Sequence, residues 1–225
     1  MRKITKTRES SAADVQFAVA ESYKTIRANL QFLLARKEGC KIITVSSAMA
    51  GEGKTTNSVN LAISFSQLGK KVLLIDADLR RPSIHKQLKI ENTDGLSGIL
   101  GGFSSIEKTV VSINPSFSVL PSGLTPPNPS ELLASREFEA LLQTFKESFD
   151  YIIIDTAPVG IVSDALTVGK ASDGILLVVK EKSTTYSEFE RVVDALKLAE
   201  ITLLGVLLNG SVAREYYPNY RSHTL

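Results

Sequence analysis

Cysteine and histidine are scarce in this sequence of 225 residues, which has one cysteine, Cys40, and two histidines, His85 and His223. A single cysteine excludes a disulfide within the chain, and it excludes the paired thiolates of a CxxC metal or iron–sulfur site. With so few thiol and imidazole ligands, we do not expect a zinc site built by the protein itself.

Long apolar runs and an excess of charge of one sign are also missing. The longest apolar runs are as short as a strand, for example 151–154, so none is expected to span a membrane. The formal net charge of +2 gives no reason to expect nucleic acid as a partner. The basic opening segment, residues 2–8, lacks the apolar core of a signal peptide. We therefore expect a cytoplasmic protein.

The rest of the chain alternates short, apolar, β-rich segments with amphipathic stretches of helical length. This pattern predicts strands at 41–46, 71–75, 117–120, 151–155, 174–179 and 203–208, and helices at 12–36, 53–68, 131–148, 160–171 and 184–199. Alternation favours parallel strands joined by right-handed crossovers, and strands that are apolar throughout indicate a sheet covered on both faces. We predict an α/β fold, a three-layer α/β/α domain with a mostly parallel central sheet.

A proline-rich connection, residues 121–130, interrupts this alternation. Its composition predicts a rigid loop rather than a strand or helix. It ends in a favourable helix start, with Asn128 as the predicted cap, Pro129 at the first helical position and Glu131 at the place of a capping-box carboxylate.

Residues 48–55, with the sequence AMAGEGKT, lie between the first β-rich strand and the helix that follows it. They have the Walker A arrangement, except that Ala48 stands where the first glycine is usual. Gly51 and Gly53 allow the backbone to curl so that successive N–H groups point at phosphate oxygens. The N-terminus of the helix adds a partial positive charge.

The loop predicts a site for ATP and Mg²⁺. Lys54 can neutralise charge on the β- and γ-phosphates, and the Thr55 hydroxyl suits a Mg²⁺ ligand. The residues expected to bind the nucleotide here are Ala50, Gly51, Glu52, Gly53, Lys54, Thr55 and Thr56. The alternative, a chance glycine-rich turn, is disfavoured by the strand and the helix on either side.

Carboxylates follow two of the predicted strands. Asp76 and Asp78 come directly after an apolar run, and Asp155 ends another in the manner of Walker B. Because the carboxyl ends of parallel strands meet at one edge of a sheet, these carboxylates should converge on the loop. Taken singly, each could instead be a cap or turn residue. Arg80 could stabilise charge on a transferred group, or it could be a surface residue.

Three segments together resemble the motifs of a known family. The loop AMAGEGKTT, the second motif LLIDADLRRP and the third motif YIIIDTAP are similar to those of the bacterial tyrosine kinases (BY-kinases). The stretch LPSGLTPPNPSELLAS is similar to the connector of that family. The resemblance covers nearly the whole chain. It implies a P-loop NTPase domain of the deviant-Walker class and an ATP-dependent protein-tyrosine kinase.

The resemblance also implies roles for single residues. Asp76 would be the base that accepts the proton of the tyrosine hydroxyl. The implied catalytic set is Lys54, Asp76, Asp78 and Arg80, and the implied metal ligands are Thr55, Asp78 and Asp155. Asn209 would contact the adenine, although a polar turn residue before Gly210 is an equal alternative.

A tyrosine-bearing tail is a further feature of the resemblance. It implies that tail tyrosines are phosphorylated between neighbouring subunits, and the candidates are Tyr216, Tyr217 and Tyr220. Pro218 discourages helix or strand in this segment, so the tyrosines can be exposed; the alternative is that they pack on the surface. We accordingly divide the chain into a kinase domain at 1–210, which includes the N-terminal helix, and a flexible tail at 211–225.

The first predicted helix contains a segment similar to the family's oligomerisation pattern, Glu-x-x-Arg-x-x-Arg. The matching residues are Glu21, Lys24 and Arg27, with lysine in place of the first arginine. Spacing by three places them along one side of a helix. The resemblance therefore implies self-association into a ring, and the alternative is an ordinary solvated helix face.

The chain looks like the separate kinase subunit of Firmicute type. The resemblance then implies a transmembrane adaptor whose cytoplasmic tail activates the kinase, and a cognate tyrosine phosphatase. It places the kinase at the inner face of the cell membrane, in capsular or extracellular polysaccharide synthesis and export.

Other functions within the same P-loop class remain to be weighed. A non-kinase ATPase that acts as a nucleotide-dependent assembly protein is one alternative, but partitioning proteins carry a second lysine where this chain has Met49. A metal-cluster carrier is disfavoured by the single cysteine. A catalytically weak regulatory subunit would carry all of the same motifs.

Overall fold

The computed structural model describes residues 12–211. Within that range the strands are β1 Lys41–Ser47, β2 Val72–Asp76, β3 Val111–Asn114, β4 Phe117–Leu120, β5 Tyr151–Asp155, β6 Gly174–Lys180 and β7 Leu203–Asn209. The helices described are α1 Ala12–Leu33, α2 Lys54–Ser66, α3 Ile84–Leu88, α4 Leu96–Leu100, α5 Ile106–Thr109, α6 Pro129–Leu133, α7 Arg136–Lys146, α8 Asp164–Lys170 and α9 Tyr186–Leu198.

The strands form one sheet in the order β3-β4-β2-β5-β1-β6-β7. Every neighbouring pair is parallel except β3 and β4, which run antiparallel at one edge. The prediction of a mostly parallel sheet is confirmed. The strand that carries the glycine-rich loop, β1, lies between β5 and β6, so the loop opens over the interior of the sheet rather than at an edge.

Both faces of the sheet are covered, as the apolar strands predicted. On one face Ile43 packs in a cluster with Leu30 of α1 and Phe65 of α2, and Phe65 stacks on Tyr151 with ring centroids 4.1 Å apart. Ile42, the residue before Ile43 in β1, points to the opposite face, into the cluster that contains Phe138 of α7. Consecutive residues of a strand face opposite sides, so this division confirms the three-layer architecture.

Two local predictions need correction. The helix predicted at 131–148 is broken into α6 and α7, because the Ser135 hydroxyl accepts the N–H of Phe138 at 3.2 Å and starts a new helix. The predicted side-chain cap by Asn128 is wrong: its amide donates to Glu131 Oε2 at 2.8 Å and accepts no backbone N–H of α6. Pro129 does stand in the first turn of α6.

The sequence did not reveal β3 or the short helices α3, α4 and α5. Residues of β3 other than its first are exposed, and each of the three helices has only four or five residues. Elements this short do not repeat an apolar period often enough to be recognised. Among residues 12–211, no helix is long and apolar enough to cross a membrane.

Candidate nucleotide and phosphoryl-transfer site

The glycine-rich loop between β1 and α2 has a backbone that only glycine adopts easily. Gly51 has φ +80° and Gly53 has φ +92°. A Cβ at Gly53 would lie 2.1 Å from the side-chain nitrogen of Asn209, whereas a Cβ at Gly51 would meet no atom within 4 Å. Gly53 is therefore required both by the backbone angle and by the close approach of Asn209.

Lys54, the first residue of α2, points into a group of buried carboxylates. Its Nζ lies 2.7 Å from Asp78 Oδ2 and 3.6 Å from Asp155 Oδ2. Burial by itself would lower the pKa of Lys54, but the charges of Asp155 and Asp78 outweigh it and the pKa is raised. The ammonium group is thus firmly protonated, as a group that neutralises phosphate charge must be.

Hydroxyl groups surround Asp155 at the end of β5. Thr55 Oγ1 donates to Asp155 Oδ2 at 2.6 Å, and Ser58 Oγ lies 2.9 Å from Asp155 Oδ1. Ser83 Oγ donates in turn to Thr55 Oγ1 at 2.9 Å. Burial raises the pKa of Asp155, while Lys54 and the hydroxyl contacts oppose that effect. Ser58 and Ser83 were missed by the sequence analysis, although Ser58 lies one helical turn beyond Lys54.

Asp76, at the end of β2, is fully buried, and one of its oxygens has no partner. Its Oδ2 accepts the N–H groups of Ser83 at 3.1 Å and Ile84 at 3.0 Å, but no described hydrogen-bond donor reaches Oδ1. Burial and the negative charge of Asp155 raise the pKa of Asp76 to about 7. An unpaired buried carboxylate oxygen is costly, which suggests that a proton or a bound group satisfies it during function.

The donors gathered here fit a hard divalent cation. They are the carboxylate oxygens of Asp78 and Asp155 and the hydroxyl oxygen of Thr55, which are the ligands that Mg²⁺ prefers. Within the described part of the chain, no three acidic, histidine or cysteine side chains are placed to hold a metal ion alone. Mg²⁺ commonly takes one or two carboxylates and completes its shell with phosphate and water oxygens, and Asp78 and Asp155 are two such carboxylates.

Arg80 is partly exposed, and its guanidinium is held by a polar cluster beside the carboxylates. Its Nε donates to Asp164 Oδ2 at 2.8 Å and its Nη2 to Ser130 Oγ at 2.8 Å. Ser130 Oγ also donates to Asp164 Oδ1 at 2.6 Å. Burial would raise the pKa of Asp164, but Arg80 and Ser130 outweigh it and the pKa is lowered. Neither Ser130 nor Asp164 was singled out from the sequence.

The lowered pKa of Asp164 predicts a pH-dependent contribution to stability. Its ionised form stabilises the fold above the unfolded pKa of about 3.9, and that contribution is lost as the pH falls through the lower folded pKa. Because Arg80 is partly exposed, we expect Asp164→Asn to lower the free energy of unfolding by only about 1–2 kcal/mol at pH 7. The difference from wild type should shrink below about pH 4.

Urea unfolding of both proteins across this pH range measures the effect. Asp194→Asn is the matched control, since Asp194 pairs with Lys197 only in an exposed contact at 3.4 Å. If the difference in the free energy of unfolding between wild type and Asp164→Asn stayed constant as the pH fell, that result would contradict the lowered pKa of Asp164.

Glu52 and Asn209 meet on the other side of the loop. Asn209 Nδ2 donates to the Glu52 carbonyl at 2.8 Å, and Asn209 Oδ1 accepts the N–H of Gly210 at 3.0 Å. The Glu52 carboxylate is 1% exposed and accepts the N–H of Met49 at 2.8 Å and the hydroxyl of Thr184. Glu52 was predicted as part of the phosphate-binding loop, but neither the burial of its side chain nor the role of Thr184 is visible in the sequence.

The predicted oligomerisation residues divide between two environments. Glu21 and Lys24 form an exposed pair at 2.6 Å, whereas Arg27 donates to the carbonyl of Ser64 in α2 and lies 3.2 Å from its hydroxyl. Arg27 therefore helps fix α1 against α2. The predicted phosphoacceptors Tyr216, Tyr217 and Tyr220 lie outside the described residues.

Two other loop residues complete the predicted set. Ala50 is exposed at the mouth of the loop. Thr56 Oγ1, in the first turn of α2, accepts from the side-chain amide of Gln87 at 3.1 Å. The predicted nucleotide-binding and catalytic residues that the structure describes lie at the carboxyl ends of β2, β5 and β7, in the loops that follow β1 and β2, or in the first turn of α2, whereas Glu21, Lys24 and Arg27 lie on α1.

Comparison with known proteins places the chain among named kinases. The AAA domain family matches residues 40–203. Tyrosine-protein kinase YwqD of Bacillus subtilis is 41% identical over 192 residues, which cover 85% of this chain and 81% of YwqD. Tyrosine-protein kinase CpsD of Streptococcus agalactiae is 38% identical over 191 residues, which cover 84% of this chain and 81% of CpsD.

Solved structures agree with these relatives. The kinase domain of Escherichia coli tyrosine kinase ETK superposes with a TM-score of 0.83 at 34% identity, covering 96% of this chain and 87% of that domain. A plasmid partition protein from Borrelia burgdorferi superposes with a TM-score of 0.60 at 27% identity, covering 75% of this chain and 78% of the other. Both the sequence and the structural similarity are therefore greater for the kinases.

Proposed function

Because the chain belongs to the AAA domain family and, within it, to the bacterial tyrosine-protein kinases, we propose that it phosphorylates its own C-terminal tyrosines between neighbouring subunits. The observation that carries this proposal is that Lys54 contacts two buried carboxylates, Asp78 and Asp155, beside the glycine-rich loop, while the charge of buried Asp76 also acts on it. In this proposal residues 1–210 form the kinase domain, and residues 211–225 form the tail that carries the acceptors.

Mg-ATP is the proposed cofactor, and when bound it would supply the phosphoryl group and neutralise its charge. The loop residues that would hold the phosphates are Ala50, Gly51, Glu52, Gly53, Lys54, Thr55 and Thr56. Thr55, Asp78 and Asp155 would hold the metal, and Asn209 would border the adenine. The support is local: the donors are oxygens of the right kind, and Lys54 is held protonated among them.

Asp76 is the proposed base for the tyrosine hydroxyl. Its Oδ1 is buried and unpaired, and its pKa of about 7 is close to the pH at which a general base works best. The two N–H groups on Oδ2 fix the orientation of the carboxylate. Arg80, held by Asp164 and Ser130 next to this site, would stabilise charge on the transferred group.

The non-kinase alternative is not favoured. The named relatives are tyrosine-protein kinases at up to 41% identity, and the partition protein is less similar in both sequence and structure. Met49 also stands where partitioning proteins place their second lysine.

The wider setting is proposed from the family. We propose a transmembrane adaptor whose cytoplasmic tail activates the kinase at the inner face of the membrane, and a cognate tyrosine phosphatase. Self-association would involve the face of α1 that carries Glu21 and Lys24, while Arg27, which bonds to Ser64 of α2, would hold that helix in place. The process would be capsular or extracellular polysaccharide synthesis and export.

Incubation of the full chain with Mg-ATP tests the activity. We expect phosphotyrosine on residues 216–220, detected with an anti-phosphotyrosine antibody and located by peptide mass. Lys54→Met should lose the signal, because neutralisation of the phosphate charge is removed. A tagged Lys54→Met chain mixed with wild type should nevertheless become phosphorylated, since the acceptor lies on a neighbouring subunit.

ATP hydrolysis without phosphotyrosine, even with the adaptor tail added, would contradict the kinase proposal. A variant with phenylalanine at the three tail positions serves as the acceptor control. If that variant kept the full signal, the acceptors would lie elsewhere in the chain.

A further inference from the structure

The sheet order separates the two halves of the nucleotide site. The buried carboxylates Asp76 and Asp155 end β2 and β5, which lie on one side of β1. The turn that follows β6 and the end of β7 lie on the other side. If phosphoryl transfer takes place among the carboxylates, the phosphates lie over the loop after β1 and the nucleoside must extend toward β6 and β7.

Three segments on that nucleoside side are joined in a closed ring of contacts. The Thr184 hydroxyl, in the turn after β6, donates to the Glu52 carboxylate. The same turn contacts the end of β7, where Glu181 N–H donates to the Asn209 carbonyl at 2.9 Å. Asn209 closes the ring through its side-chain amide, which donates to the Glu52 carbonyl at 2.8 Å. We call Glu52, Thr184 and Asn209 the clasp.

Within the clasp, the buried Glu52 carboxylate depends most on its hydrogen-bond donors. It is 1% exposed, and the contacts described for its two oxygens are the Met49 N–H and the Thr184 hydroxyl. A buried carboxylate is stable only while its oxygens accept hydrogen bonds, so each donor counts. Thr184 is itself oriented, because its oxygen accepts the N–H of Lys180 at 2.8 Å.

Resting on the proposed function, we propose that Thr184 is a positioning residue for the nucleoside half of the site and acts through the Glu52 carboxylate. Its hydroxyl holds the turn after β6 against the loop, and that turn holds Asn209 at the end of β7. Loss of the hydroxyl opens the ring, so the turn after β6 and Asn209 are then tied to the loop only by the bond from the Asn209 amide to the Glu52 carbonyl. The contact between Glu52 and the Met49 N–H remains, so the phosphate-binding half keeps its shape.

Binding of ADP and of inorganic tripolyphosphate, each with Mg²⁺, separates the two halves. Thr184→Val keeps the size of the side chain but removes the hydroxyl, and calorimetric titration should show ADP binding weakened about tenfold. Tripolyphosphate has no nucleoside, so its affinity should change less than about twofold, which corresponds to about 0.4 kcal/mol. Thr184→Ser restores a hydroxyl and should bind ADP as wild type does.

Controls make each outcome decisive. Thr144→Val, the same change at an exposed position of α7, should alter neither affinity. Thr184→Ala also removes the hydroxyl but puts no methyl group in its place. It therefore tests the inference even if the valine variant folds poorly. Unchanged ADP binding in both removal variants, or equal weakening of both ligands, would overturn the inference while leaving the kinase proposal intact. A wild-type protein that bound neither ligand would overturn both.

Discussion

Asp76→Asn is expected to reduce phosphotyrosine formation by at least about a hundredfold, because asparagine cannot take the proton of the tyrosine hydroxyl. The fold around the residue should survive, since the asparagine carbonyl can still accept the N–H groups of Ser83 and Ile84 that now bond to Oδ2. Initial rates of tail phosphorylation under saturating Mg-ATP measure the effect.

Binding of ADP is the companion measurement for this variant. It should persist, since Asp76 is proposed to act on the acceptor and not on the nucleotide. Asp194→Asn makes the same chemical change at an exposed position of α9 and should keep wild-type rates. If Asp76→Asn retained near-full activity, Asp76 would not be the base.

Gly53→Ala is expected to weaken ADP binding by at least about tenfold, from a backbone strain of roughly 1–2 kcal/mol at a left-handed position. The strain is compounded by contact, because the new methyl group would lie 2.1 Å from the Asn209 amide and would displace it from Glu52. Calorimetric titration with ADP measures the affinity, and thermal unfolding measures the accompanying loss of stability.

Gly69→Ala separates strain from contact. Gly69 follows α2 with φ +72°, and a Cβ there would meet no atom within 4 Å. We expect this variant to lose stability from the same kind of backbone strain but to bind ADP as wild type does. Equal affinities for the Gly53 and Gly69 variants would show that the approach of Asn209 is unimportant for binding.

Features that repeat along the chain could be predicted from the sequence. Four strands, β1, β2, β5 and β6, are buried on both faces and appear in the sequence as apolar runs. Their alternation with helices indicates the parallel topology. The convergence of Asp76 and Asp155 on the loop follows from that topology alone, since parallel strands end at one edge.

Features made by single contacts between distant segments could not be predicted. Thr184 reaches Glu52 across 132 positions, and Arg80 reaches Asp164 across 84. The distant partners, Thr184 and Asp164, are common surface residue types with no period or motif to mark them. The break between α6 and α7 has a similar origin, because one serine hydroxyl decides where the second helix starts.

The position of β1 in the sheet has a consequence for how the protein is made. Both neighbours of β1, β5 and β6, come from the second half of the chain, where Tyr151 pairs with Lys41 and Gly174 with Ile43. During translation, β1 therefore stays unpaired until β5 and β6 have been synthesised, which is after most of the domain. The nascent chain acquires its ability to bind nucleotide late, and until then this unpaired strand is open to aggregation.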